Sequence, residues 1–121
     1  MKINITSNKT IEEIQSEFNG EFPYLKIQFF KSGHKVFKGN EKKELIPINT
    51  TIGLLKHHNG SIEISDDMTV SDLEQMFKQK LGLNVQVFRK SGRSWLETTV
   101  TDNWTLRKQD DEGMELSKLE A

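Results

Sequence analysis

The sequence predicts an α+β fold: a two-layer sandwich with two helices on a largely antiparallel or mixed sheet, built from two pseudo-repeated β-α-β-β units. Three observations carry this expectation. Residues 3–18 are echoed by residues 62–77 at a constant offset of 59 positions, with Ile3, Ile5, Thr10 and Phe18 meeting identical residues at Ile62, Ile64, Thr69 and Phe77. Both copies place a threonine three residues before an acid at the start of an apolar stripe, Thr10 with Glu13 and Thr69 with Asp72, the spacing of a helix capping box. Both then run through an alternating stretch into a Lys-Ser-Gly turn. Duplication of one unit and convergence of two similar units under the same local rules each give this pattern.

Taken in order, residues 2–6 and 61–65 alternate isoleucine with polar residues and read as short strands with one buried face. Ile11, Ile14, Phe18 and Phe22 recur at three- and four-residue intervals, as do Val70, Leu73, Phe77 and Leu81, so each helix presents one apolar stripe to a sheet. Met68 and Leu73 are placed to form a hydrophobic staple at the second helix start. Pro23 stops the first helix and Gly82 ends the second. Leu25, Ile27 and Phe29 alternate with Lys26, Gln28 and Phe30, and Leu83, Val85 and Val87 with Asn84, Gln86 and Phe88. Residues 36–37 and 95–100 read as returning strands that make each pair a hairpin, and residues 38–44 as a polar loop. Both copies are expected to close with a short helical turn ended by glycine, at Gly60 and Gly113. The domain is expected over residues 1–116, as pseudo-repeats 1–60 and 61–116, with a flexible tail at 117–121.

A chain of 121 residues is the size of one domain whose halves share a core. Its apolar runs are a few residues long, far below the roughly twenty needed to span a bilayer, and its N-terminus has no secretory h-region, so a cytoplasmic location is expected. The absence of cysteine removes disulfides, thiolate metal sites and cysteine nucleophiles. Net charge is -1, with residues 1–60 carrying nine lysines against six glutamates and residues 61–121 carrying eight basic against twelve acidic residues. That balance gives no global argument for nucleic acid or an acidic membrane.

No catalytic, metal or cofactor motif emerges. His57 and His58 are adjacent and diverge on any regular backbone, and Glu44, Glu63 and Asp66 lack the spacing of a metal-binding helix. Ser32 and Ser91 stand outside any Gly-x-Ser-x-Gly elbow, and Arg93 occupies the place that His34 takes in the first copy, so no base serves both serines. The acidic clusters at Asp66 and Asp67 and at Asp110, Asp111 and Glu112 fit turns and a helix end.

Two surfaces stand above this background. The turns Lys31, Ser32, Gly33 and Lys35, and Arg89, Lys90, Ser91, Gly92 and Arg93, combine basic side chains with a glycine and are candidates for binding an anion or an acidic partner. Gln28, Phe30, Gln86, Phe88 and Trp95 lie on the strand face opposite the main apolar alternation and are candidates for an interface. The expected function is therefore a small non-enzymatic binding or protein-interaction protein, with a protein partner or a homodimer. The alternative is a polyanion or nucleic-acid binder using the basic turns. No cofactor, metal or membrane is expected.

The Met-Thr-Val-Ser-Asp-Leu-Glu-Gln-Met-Phe run at 68–77, with residues 83–92 and the Trp-Leu-Glu-Thr-Thr run at 95–99, resembles the C-terminal half of a family of short bacterial hypothetical proteins with no assigned activity. The Thr-Asp-Asn-Trp-Thr-Leu run at 101–106 and the Phe-Pro-Tyr-Leu-Lys run at 22–26 fit that family too, and residues 38–50 match least. The resemblance implies a small standalone protein and brings no functional residues. The Thr-Val-x-Asp-Leu helix start also resembles ubiquitin-like β-grasp domains, but there the helix follows a hairpin, whereas here it follows one strand.

Overall fold

Alternating isoleucines at the start of each half pair with one another. In the computed structural model, which describes residues 1–31, 44–55 and 60–118, β1 (Lys2–Ile5) and β3 (Gly60–Glu63) form an antiparallel two-stranded sheet with Ile3 opposite Ile62. The other strands, β2 (Leu25–Phe30), β4 (Asn84–Ser91) and β5 (Ser94–Glu97), form a separate antiparallel sheet in the order β2-β4-β5. Three helices, α1 (Ile11–Glu21), α2 (Val70–Leu81) and α3 (Leu106–Lys118), complete an α+β fold.

Both capping boxes are made. Thr10 Oγ1 accepts from the Glu13 N–H while Glu13 Oε1 accepts from the Thr10 N–H, and Thr69 and Asp72 do the same for α2. Each box satisfies two of the otherwise orphaned groups at a helix start and contributes about 1 kcal/mol. Gly82 caps α2 in the left-handed conformation, φ 65°. The apolar stripes then bury as their spacing requires: Ile11, Ile14 and Phe18 of α1 and Val70, Leu73, Phe77 and Leu81 of α2 join Ile3, Ile5, Ile27, Phe29, Ile62 and Val87 in one core. Phe29 meets Phe77 edge-on with ring centroids 5.5 Å apart.

The hydrogen bonds of the two halves correspond. Thr10 bridges Thr51 and Thr69 bridges Thr105. Around the first bridge the Ile11 N–H donates to Thr50 O, Glu12 to Ile48 O, Ile52 to Lys9 O and Gly53 to Ser7 O. Around the second, Val70 donates to Trp104 O, Ser71 to Asp102 O, Leu106 to Met68 O and Arg107 to Asp66 O. Both strand pairings are centred on residues that the sequence echo equates, Ile3 with Ile62 and Gln28 with Gln86.

Four sequence expectations change. The strands divide between two sheets, because the opening strands pair with each other and β2 pairs with β4. The return after β4 stops at Glu97 instead of continuing to Val100: Thr98 turns inward and gives both its N–H and its hydroxyl to Val87 O. The final helical turns are unequal, a single 3-10 turn at Ile52–Leu55 in one half and the thirteen-residue α3 in the other. Gly113 therefore lies inside α3, and Ser117 and Lys118 belong to that helix instead of a tail. Gly113 is an internal contact point: a Cβ there would lie 2.8 Å from Tyr24 Cβ and 3.1 Å from Tyr24 O, so only glycine lets α3 approach the chain entering β2 this closely. The first-copy return strand at 36–37 and nearly all of the loop at 38–44 lie outside the described residues.

Candidate interaction surface

Antiparallel pairing decides where the basic turns go. Lys31 follows β2 and its carbonyl accepts from Asn84 Nδ2 at the start of β4, whereas Ser91 ends β4 beyond the Leu25 end of β2. Lys31 and Ser91 thus sit at opposite ends of an eight-residue strand, roughly 24 Å apart at about 3.4 Å per residue. Lys31 Nζ is also 3.1 Å from Glu44 Oε2, while Ser32, Gly33 and Lys35, with His34, His57 and His58, lie outside the described residues.

The second turn divides its own charges. Ser91 pairs with Ser94, so Gly92 and Arg93 form a two-residue hairpin loop, and Gly92 takes the φ of 60° that such a loop demands at its first position. Arg93 is exposed at the tip. Lys90 lies on one sheet face with its Nζ 5.9 Å from the Trp95 ring centroid. Arg89 points to the other face, toward α3, where Nη1 donates to Gln109 Oε1 at 2.9 Å and the guanidinium stacks 5.6 Å from the Trp104 centroid. Its Nε is buried with no hydrogen-bond partner among the described residues.

Around Arg89 the residues of α3 form a polar anchorage that apolar periodicity could not reveal. Gln109, fully buried, also donates through Nε2 to the carbonyl and hydroxyl of Thr101. Asp110 accepts from the Tyr24 N–H at 2.8 Å and from Arg107 Nη1 at 3.3 Å. Burial pushes the Asp110 carboxyl above its ordinary value, against the opposing pull of the Tyr24 N–H and the Arg107 charge. Arg107 in turn reaches Asp66 at 3.1 Å and lies over the Phe22 ring. These contacts fasten a helix to the sheet. Among the described residues, no group of three or more His, Asp or Glu is placed to hold a metal, and no helix is long and apolar enough to cross a membrane.

The predicted aromatic face exists, but it is less open than the alternation suggests. Residues opposite one another in the ladder share a face, so Leu25, Ile27, Phe29, Val85 and Val87 turn inward while Lys26, Gln28, Phe30, Gln86, Phe88 and Trp95 turn outward. Phe30 and Gln86 are each only 8% exposed, so the middle of this face is closed. Phe88 and Trp95, at the β5 end, are half-buried. Lys26, which sequence reasoning treated as plain polar alternation, holds its Nζ 4.8 Å from the Trp95 centroid and 5.7 Å from that of Phe88. Its position opposite Phe88 in the register is what brings it there.

A second feature lies along the edge of β2 that faces away from β4. Gln15 and Asn19, one helical turn apart on α1, donate their side-chain amides to Ile27 O at 2.9 Å and Leu25 O at 2.8 Å. The spacing of four that puts both amides on one face of α1 was visible in the sequence; the strand edge beneath them was not. Between α1 and this edge lies a groove of about 320 Å³ whose lining includes Ser16, Lys26, Gln28 and Ile48, the last bonded through its carbonyl to the Glu12 N–H at the start of α1.

Comparison of the chain with models of known protein families, with curated proteins and with solved structures finds no match.

Proposed function

We propose that this protein is a non-enzymatic, cytoplasmic protein-interaction module that engages its partner, in the simplest case a second copy of itself, through the β5 end of the outer sheet face. The observation that supports this reading is the group Lys26, Phe88, Lys90 and Trp95: two half-buried aromatic rings with one ammonium above both and a second beside Trp95. Rings with partial exposure and cationic neighbours provide the large contact area and orienting charge that interface centres use. The basic residues give the polyanion reading no comparable support, since Lys31 lies far from the second turn and Arg89 is committed to α3.

Light scattering over a range of concentrations tests the proposal. Wild type is expected to gain mass with concentration and Phe88→Asp to remain a monomer, because a carboxylate beside Trp95 removes apolar contact at the patch centre. Monomeric wild type at every concentration would exclude the second copy as partner.

A further inference from the structure

We infer that two copies of this chain join edge to edge through β5, strand against antiparallel strand; the inference rests on the self-association proposed above and names its contact. The hydrogen bonds around the hairpin show which way the backbone of β5 turns. The Lys90 N–H donates to Tyr24 O, on the β2 side of β4, and the Thr98 N–H donates to Val87 O, on the β5 side. Bonded and non-bonded pairs alternate along an antiparallel ladder, so Leu96 is bonded to Arg89. Trp95, opposite Lys90, and Glu97, opposite Phe88, therefore turn their N–H and C=O groups away from β4. Among the described residues nothing pairs with those groups, and Ser94, Leu96 and Glu97 are exposed. Such an edge is a template for another strand, and no lysine, proline or bulge blunts it.

A second β5 is complementary to this edge in backbone, charge and apolar surface. With Leu96 facing its counterpart across a twofold axis, Trp95 of each copy exchanges both backbone bonds with Glu97 of the other. Other registers do less. Centring on Trp95 brings the hairpin loop at Arg93 into the ladder, and centring on Glu97 sets two carboxylates face to face and runs past the inward turn at Thr98. In the Leu96 register the second copy's Glu97 lies beside Trp95, whose ring carries Lys26 at 4.8 Å and Lys90 at 5.9 Å. Among the described residues Lys26, Lys90 and Glu97 have no ion-pair partner, so pairing brings uncommitted cations to an uncommitted carboxylate at each end of the ladder. On the opposite face Leu96, 45% exposed, is covered by its counterpart. Assembly stops at two copies, because such a contact closes on itself and the far edge of the sheet is occupied: Leu25 O, Ile27 O and Phe29 O accept from Asn19, Gln15 and Ile46.

The chain contains no cysteine, so single cysteines report the register without background. In this pairing the two Leu96 Cα atoms lie about 4.5 Å apart, inside the range of about 4.4–6.8 Å that a disulfide spans. Leu96→Cys is expected to form a disulfide-linked dimer under mild oxidation at least tenfold faster than Ser94→Cys, whose counterpart lies about 14 Å away along the strands. Glu97→Lys should weaken self-association at least tenfold, and adding Lys90→Glu should recover most of the loss. Hydrogen exchange at the Trp95 and Glu97 amides should slow as wild-type concentration rises, whereas contact between aromatic faces alone leaves it unchanged. Wild type that gains mass in light scattering, while the two cysteine variants crosslink equally and exchange at Trp95 and Glu97 stays fast, overturns the edge pairing and leaves self-association through the outer face standing. Wild type that is monomeric at every concentration overturns both and leaves the edge to a strand of another protein.

Discussion

After the bridge between Thr69 and Thr105 the chain continues into the thirteen residues of α3, whereas after the matching bridge between Thr10 and Thr51 it makes only the 3-10 turn Ile52–Leu55. The strand edges differ in the same sense. In the C-terminal half β5 pairs with the far side of β4; in the N-terminal half the far side of β2 is closed by side-chain amides of α1 and by residues 44–46. One exchange between the helices shows how local chemistry sets this. Gln15 donates to a strand carbonyl, while Glu74, its counterpart at offset 59, can only accept and lies 3.5 Å from the Val87 N–H. A common scaffold of caps and bridges therefore tolerates different edges, because the scaffold is held by backbone hydrogen bonds and the edges by a few side chains.

If α3 is held by its polar anchors, Gln109 is the point at which the C-terminal half breaks. Gln109→Leu leaves the Arg89 guanidinium and Thr101 O without their partner in a buried setting, and a loss of about 2–3 kcal/mol in a urea titration is expected. A loss below about 0.5 kcal/mol would mean that packing alone, not the Arg89 contact, fastens the helix.

The two helix glycines sharpen the comparison with opposite signs. At Gly20 in α1 an added Cβ meets nothing within 4 Å, so Gly20→Ala should stabilise by up to about 1 kcal/mol through helix propensity. At Gly113 the same methyl group collides with Tyr24 and Arg89, and Gly113→Ala should destabilise by about 1–2 kcal/mol despite the same propensity gain. Thermal melts of the two variants side by side check this, and equal signs would contradict the close packing of α3.

What the residues revealed in advance was local. Thr10 with Glu13 and Thr69 with Asp72 declare their caps within four positions, and the Phe18 and Phe77 stripes need only a helical period. The pairing of β2 with β4 joins residues more than fifty positions apart, and no local rule states it, so the placement of Lys31 and Ser91 at opposite ends of β4 stayed hidden. The length of α3 was obscured because its buried face includes Gln109, Asp110 and Gly113, which read as a polar stretch with a terminating glycine. The groove was missed because Gln15 and Asn19 read as solvent-facing polar residues until a strand edge lies beneath them.

The smallest expected effect also differs in sign between the halves. Glu13, in the capping box of α1, is held below its ordinary value of 4.5 by the Thr10 N–H and hydroxyl. Asp110, in α3, is held above its ordinary value of 3.8 by burial. A carboxyl with a depressed pKa releases its proton more readily in the folded state, so its stabilising contribution disappears as pH falls below about 4.5 through the depressed value. A carboxyl with a raised pKa binds its proton more tightly in the folded state, so its contribution to stability increases as pH falls through the raised value toward 3.8. Glu13→Gln and Asp110→Asn remove one titration each while keeping an oxygen to accept from Thr10 or Tyr24. Subtracting each variant's stability from that of wild type between neutral pH and pH 3 should give curves of opposite slope, falling with acid for Glu13 and rising for Asp110. Two curves of the same slope would mean that the Tyr24 N–H and Arg107, not burial, dominate at Asp110, and that α3 is anchored by an ion pair like those on the surface.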